Sequence, residues 1–478
     1  MNRFKKALVF ILVLSMMAAM AACSPAAEPA AQAPAAAAPA GDAAAPAAPA
    51  ATEQGKVYNI YCWNTEFQDR FKSYFEEKGL IPEGVTVNWV ITPSDGGAYQ
   101  AKLDEALLAQ EGAAADNKVD LFLIEADYAL KYVNSDYSAD VYGDIGLTEA
   151  DTANMYQYTK DICTDENGLL KGVSWQACPG GLIYRRSIAK DVLGTDDPEQ
   201  VQAALATWEK YNAVAAQAKA KGYYMTSSYV ADYRVFSNNV SAPWVDGNNQ
   251  IVVDPAIKQW IAQANTHLKN GYTLPYGIWD TESFNESKVN GKAMCYFGPG
   301  WFIDFCLKPA ALDNPDDPAA EAVGNGSYGD WGLVKGPQGY FWGGTWICAA
   351  AGSDNTELTA QIMKTMTCDT DTLLAITNQY GDFTNSVAAM TELSEKGFEY
   401  GFLGGQNHIA VLLDSAQSID MSNITMYDQL LNEPLPAAFK DYFLGNITEE
   451  QAYTNFFKGA LETYPNLTAP DVASVIAK

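Results

Sequence analysis

The side chains that could do chemistry in this chain are aromatic rings and carboxylates set among Gly, Pro, Asn and Asp. Eleven tryptophans and 27 tyrosines are more than a core requires. Trp63, Asn64 and Glu66 follow one apolar run, Asp127 a second and Trp301 a third. Trp175 and Gln176 precede Cys178-Pro179-Gly180-Gly181. Tyr340, Trp342 and Trp346 lie in or beside the glycine-rich stretch 336–344, and Trp244 and Trp279 fall in loops. Rings cover flat C–H faces while carboxylates and amides hydrogen-bond hydroxyl groups. The set therefore suits a ligand offering both, and rings with carboxylates also suit a cation. Catalysis has less support. The two histidines, His267 and His408, stand in no nucleophile motif, and neither H-E-x-x-H nor a phosphate loop is present. Fifty-eight acidic residues guarantee chance carboxylate pairs of the glycosidase kind. A secreted glycoside hydrolase and a polyamine or other cation receptor thus remain as alternatives. No catalytic residue, cofactor or metal is assigned.

Some of these residues have a plainer role available. Glu66 suits the positive end of a helix, and Asp127 could cap the helix that continues through Tyr128 to Val133. Trp208, Trp260 and Trp331 fit core positions within or beside periodic segments.

The elements that must position the set read as alternating strands and helices. Residues 57–63 form a first strand, and Thr65 with Gln68 form a capping box opening a helix. Phe67, Phe71, Tyr74 and Phe75 then recur at helical spacing. Residues 85–91 form a second strand, 99–110 a helix and 119–124 a continuously apolar third strand, as expected where both faces are buried. Strand–helix–strand–helix–strand order implies a parallel α/β sheet, with ligands at the carboxyl ends of its strands. Those ends are Trp63-Asn64 and residues 125–128. Extended segments follow at 169–175, 182–184, 292–297, 330–335 and 345–350, and the rest is mostly helical.

The first 55 residues read differently. Arg3, Lys5 and Lys6 precede an uncharged apolar run, 7–20, and then Ala21-Ala22-Cys23. That order is a secretory signal, and the run falls short of the roughly 20 residues that span a bilayer. A cysteine in that place resembles the bacterial lipobox, which implies a signal peptide at 1–22 and acylation of Cys23. Residues 23–55 are Ala- and Pro-rich without an aromatic, and read as a disordered tether. At about 3.1 Å per residue an extended chain of this length reaches roughly 100 Å.

Net charge is −28, which argues against nucleic acid. Seven cysteines besides Cys23, several in apolar runs and without a C-x-x-C pair, read as buried free thiols.

Asn290-Gly291-Lys292-Ala293-Met294-Cys295-Tyr296-Phe297-Gly298-Pro299-Gly300-Trp301 resembles a G-x-A-A-M-x-x-x-G-x-W signature. Trp331-Gly332-Leu333-Val334-Lys335-Gly336-Pro337 through Gly344 resembles a P-x-G and double-glycine segment, and 446–457 a C-terminal helix motif. Together they are similar to the family 1 extracellular solute-binding proteins of bacterial ABC importers, the sugar-binding lipoproteins. Tyr380-Gly381-Asp382-Phe383-Thr384-Asn385 departs from the G-x-x-P usual there. The resemblance implies an α/β, two-lobed, type II periplasmic-binding-protein-like fold over 56–478, with a hinge crossed more than once. Lobe 1 would hold about 56–175 and 345–400, and lobe 2 about 180–340 and the C-terminal helices. The crossings would lie near 175–179 and 341–345. It further implies a monomeric receptor, lipid-anchored outside the cell membrane, that hands a carbohydrate to permease subunits. Its ligand would meet Trp63, Asn64, Glu66, Asp127, Trp175, Gln176, Trp244, Trp279, Trp301, Tyr340, Trp342 and Trp346. The many rings point to an oligosaccharide.

Overall fold

The structure, a computed structural model, describes residues 54–317 and 321–477. The expected signal peptide, Cys23 and nearly all of the expected tether lie outside the described residues. Gly55 is already part of the folded body, where it is buried and its amide donates to Asp354. No helix among the described residues is long and apolar enough to cross a membrane.

The strands are β1 (Val57–Cys62), β2 (Thr86–Ile91), β3 (Leu121–Glu125), β4 (Val173–Ser174), β5 (Pro179–Arg185) and β6 (Tyr224–Ser228). They continue with β7 (Thr273–Tyr276), β8 (Ala293–Pro299), β9 (Trp331–Val334), β10 (Tyr340–Phe341) and β11 (Thr345–Ala349). They form two sheets, ordered β2-β1-β3-β11-β4 and β10-β5-β8-β6-β7, with β9 also on β5. The expected parallel unit is present: β1 pairs in parallel with both β2 and β3. β11 returns antiparallel to β3. β3 is covered on both faces, as its unbroken apolar run requires.

The helix Glu66–Phe71 buries Phe67 and Phe71 beneath the first sheet. Its expected capping box does not form, because Thr65 makes no side-chain cap bond. Asn64 takes over, accepting the Glu66 amide at 2.9 Å, which satisfies one of the helix's orphan donors. Gly180 and Gly181, outside the expected extended segments 169–175 and 182–184, lie inside β5. A Cβ on Gly180 would stand 2.2 Å from Cζ of Tyr340. The glycine is what lets that ring lie flat on the strand.

The chain passes between the sheets from β4 to β5 and again from β10 to β11. The two connections run side by side, with the Trp342 amide donating to the Cys178 carbonyl at 3.1 Å. Cys178, Gly343 and Gly344 all have positive φ there (48°, 71° and 111°). The 380–385 segment lies against the first connection. Ala177 N–H donates to Phe383 at 3.1 Å, and Asn385 N–H to Trp175 at 2.8 Å. A second, smaller core joins the helices Pro255–Asn270, Pro434–Phe443 and Glu449–Thr463.

Candidate ligand-binding site

The end of β3 and the helix after β6 bring the first part of the site together. Asp127, two residues past β3, receives both Nη1 and Nη2 of Arg234 at 2.6 Å each. Arg234 sits in the short helix Tyr233–Ser237 that follows β6. One sheet thus supplies the carboxylate and the other the guanidinium. The expected Asp127 cap on the helix after Tyr128 is absent: Tyr128 stands at that N-cap, without a side-chain bond.

Two aromatic groups flank the pair. On the first sheet's side, Trp63 meets Tyr99 edge-on at 5.4 Å and Tyr128 at 6.4 Å. The buried Tyr128 hydroxyl has no hydrogen-bond partner in the protein. On the second sheet's side, Trp342 contacts Trp301 at 5.0 Å, Trp279 at 5.3 Å and Phe302 at 5.7 Å. Trp301 donates its indole N–H to the Trp342 carbonyl at 2.8 Å. Gly343 leaves room for this, since a Cβ there would lie 3.2 Å from the Trp301 Nε1. The Arg234 guanidinium lies 5.4 Å from the centre of the Trp342 ring, within cation–π range.

Carboxylates crowd this region. Glu125 accepts the Asp127 amide at 2.8 Å. Burial, and then the Asp127 charge, push the Glu125 carboxyl well above the usual range. Glu433 is raised for the same two reasons, burial first. The nearby guanidinium opposes both shifts.

A second charged group lies beside the first connection. Gln176 Nε2 donates to Glu66 at 2.6 Å, and Arg70 places Nη2 3.7 Å from that same oxygen. Asp382 grips Arg70 through Nε at 2.9 Å and Nη2 at 2.8 Å. Burial and Asp382 raise the Glu66 carboxyl while Arg70 lowers it, and the net direction is upward. The Cys178 thiol, 3.8 Å from Oε1 of Gln176, is pushed far up by burial and then by Glu66 and Asp382.

Of the twelve expected contacts, Trp63, Glu66, Asp127, Gln176, Trp279, Trp301 and Trp342 fall into these groups, and Asn64 stands beside Glu66 with its side chain taken by the Glu66 amide. The other four need revision, because their rings are enclosed by protein. Trp175 is fully buried and stacks on Phe67 at 5.0 Å. Trp346 is fully buried and donates to the Thr159 carbonyl at 2.8 Å. Tyr340 lies against Gly180 and donates to the Gly181 carbonyl at 3.2 Å. Trp244 belongs to the second core, its indole bound to Asn432 at 3.1 Å. Trp260 and Trp331 are core residues, as expected, and Trp208 stacks on Phe236 at 4.1 Å.

Sequence reading missed Arg70, Arg234, Asp382, Glu125 and Tyr128. One signal was available for the arginines. The chain holds five of them, too few for an ordinary surface complement, and scarce arginine suits buried bidentate pairing.

His267 and His408 are buried, and burial lowers both to about 4. They are neutral packing groups at pH 7. Among the described residues no His, Cys, Asp and Glu cluster could hold a metal ion.

Two α/β sheets joined by side-by-side connections, with rings and an ion pair between them, define a two-lobed binding protein. Residues 70–401 match the family model for bacterial extracellular solute-binding proteins, and the chain belongs to that family. The family is one of binding proteins, placed outside the cytoplasm. Solved structures agree on the fold. A family 1 extracellular solute-binding protein superposes with a TM-score of 0.70 at 15% identity, over 85% of this chain and 99% of its own. The sugar-binding protein MalE of Xanthomonas citri gives 0.64 at 13% identity, over 85% and 96%. The galacto-N-biose-/lacto-N-biose I-binding protein of a Bifidobacterium longum ABC transporter, in complex with lacto-N-biose, gives 0.63 at 12% identity, over 87% and 100%. No curated protein sequence matches the chain.

Proposed function

We propose that this protein is the lipid-anchored, substrate-binding component of a carbohydrate ABC importer. It captures a neutral oligosaccharide between its lobes and delivers it to the permease. The observation that carries this reading is the pairing of two ring groups with hydrogen-bonding side chains. Trp63 and Tyr128 stand on one side of the Asp127–Arg234 pair, and Trp279, Trp301 and Trp342 stand on the other. Stacked rings with a few fixed polar groups are what a sugar's C–H faces and hydroxyls need. The ligand-binding set is accordingly Trp63, Asn64, Glu66, Asp127, Gln176, Trp279, Trp301 and Trp342, with Tyr128 and Arg234 added. Acylation at Cys23 fixes where the protein works, and the tether gives the lobes reach from the membrane.

Titration of the purified protein with mono- and oligosaccharides and with spermidine, followed by tryptophan fluorescence, tests the assignment. Saturable binding of a neutral oligosaccharide without new reducing ends is expected. Trp301→Ala should weaken it by about tenfold, the effect of losing one stacked ring. A response to spermidine alone sinks the sugar assignment, and released reducing ends make the protein a hydrolase. Cys23→Ala should release the protein from membranes and leave the titration unchanged.

A further inference from the structure

The Asp127–Arg234 pair is built as a self-contained closure between the lobes. Asp127 belongs to the turn Ala126–Tyr128 after β3, and Arg234 to the helix after β6, so the bond joins the two sheets. Both carboxylate oxygens are engaged by the two guanidinium nitrogens at 2.6 Å, the bidentate geometry that gives charge-assisted bonds their strength and direction. The side chains keep 25% and 29% of their exposure, so solvent screens the pair only in part. The contact has a neighbour, because the helix Asp428–Asn432, on the second lobe's C-terminal helical part, packs against the same Ala126–Tyr128 turn. Ligand atoms are not needed to complete either charge.

We propose that Asp127 and Arg234 form a latch across the cleft that favours the closed arrangement independently of any ligand. The latch also holds the guanidinium over the Trp342 ring, so a ligand gains that ring face only after the latch opens. A solute-binding protein with such a latch fluctuates from closed to open before capture, a population it already holds. The proposal rests on the two-lobed fold and stands apart from the identity of the ligand.

Amide hydrogen exchange on the full chain, with no carbohydrate in any sample, tests it. Asp127→Asn and Arg234→Gln should each speed exchange in peptides covering 126–128 and 428–432 by about tenfold, the effect of losing a partly screened charge-assisted pair. The double variant should exchange no faster than either single, because both remove one interaction. Peptides from β1 should keep the wild-type rate. Unchanged exchange at 126–128 and 428–432 in the single variants overturns the latch. So does additive acceleration in the double variant, and so does equal acceleration in β1, which reports lost global stability.

Discussion

Asp382→Asn is the substitution whose effect should spread furthest around the connection from β4 to β5. Asp382 and Arg70 keep only 11% and 6% side-chain exposure. The guanidinium also lies 4.2 Å from the centre of the Tyr380 ring and 3.7 Å from Glu66. Asparagine preserves shape but removes the charge, leaving Arg70 with a single, more distant carboxylate. Removing one partner from a buried ion pair costs about 3–5 kcal/mol. Glu66 offsets part of this, so a loss of about 2–4 kcal/mol is expected. Urea unfolding followed by tryptophan fluorescence reads it as a lower midpoint at unchanged slope. The companion variant, Arg70→Met with Asp382→Asn, removes both charges and should cost less than the two single changes added together, by about 1–3 kcal/mol. Asp382 also raises the Glu66 carboxyl, after burial, so Glu66 should titrate at lower pH in Asp382→Asn. A loss below about 1 kcal/mol, or strict additivity in the double variant, refutes the reasoning.

Asp232 accepts the Trp260 indole at 3.1 Å and Gln263 Nε2 at 2.7 Å, and burial pushes its carboxyl up to about 6. A raised carboxyl stabilises the fold below its ordinary range and loses that contribution as pH rises through the folded value. Asp232→Asn should therefore stabilise the protein at pH 7 by roughly 2–3 kcal/mol and bring no gain at pH 4, read by chemical unfolding at both. Asparagine keeps one acceptor, for the Trp260 indole, and its NH2 is matched when the Gln263 amide turns to present Oε1, which has no partner; equal effects at both pH values would count against the assignment. All seven cysteines from Cys62 to Cys368 are unpaired, six of them buried. Burial raises Cys62 and Cys306 to about 12 and Cys368 to about 11, so thiol reagent should be slow on the native protein and take all seven after denaturation. Fewer than two reactive thiols would contradict this. Gly180→Ala drives a methyl into the Tyr340 ring and should cost about 1–3 kcal/mol or more, visible as a lowered thermal midpoint. An unshifted midpoint would mean the ring moves freely.

The order of elements was legible because periodicity and apolar runs are local properties. The parallel β2-β1-β3 unit follows from them directly. Ring placement was only half legible. Trp342 and Trp346 share one glycine-rich neighbourhood, yet the first packs edge-on against Trp301 and the second is fully enclosed in β11. β11 is buried on both faces, so alternation cannot tell an inward ring from an outward one. Trp175 failed for a related reason. It directly follows β4, where the chain leaves the first sheet, but its ring turns back onto Phe67. The capping box failed because two side chains competed for one helix end, and Asn64 holds the Glu66 amide.

The ion pairs were illegible because their partners are far apart along the chain. Arg234 meets Asp127 across 107 residues, Arg185 meets Asp330 across 145 and Arg70 meets Asp382 across 312. No local window contains such a pair. Composition carried the trace, since five arginines stand in a chain with 30 cations and 58 acids. Lysine serves an exposed surface well enough, whereas a planar fork is needed where a carboxylate must be gripped away from water. Arg70, Arg185 and Arg234 all hold such carboxylates. At the cleft this bears on the ligand. Glu66, Asp382, Glu125, Asp127 and Glu433 would by themselves make a strongly anionic slot. Arg70 and Arg234 neutralise the ionised members, and burial pushes the Glu66, Glu125 and Glu433 carboxyls toward the protonated form. Charge is therefore largely spent within the protein, and the unspent surface is rings and hydrogen-bonding groups. That balance favours a neutral, hydroxyl-rich ligand over a polyamine, which would need carboxylates left free to meet it.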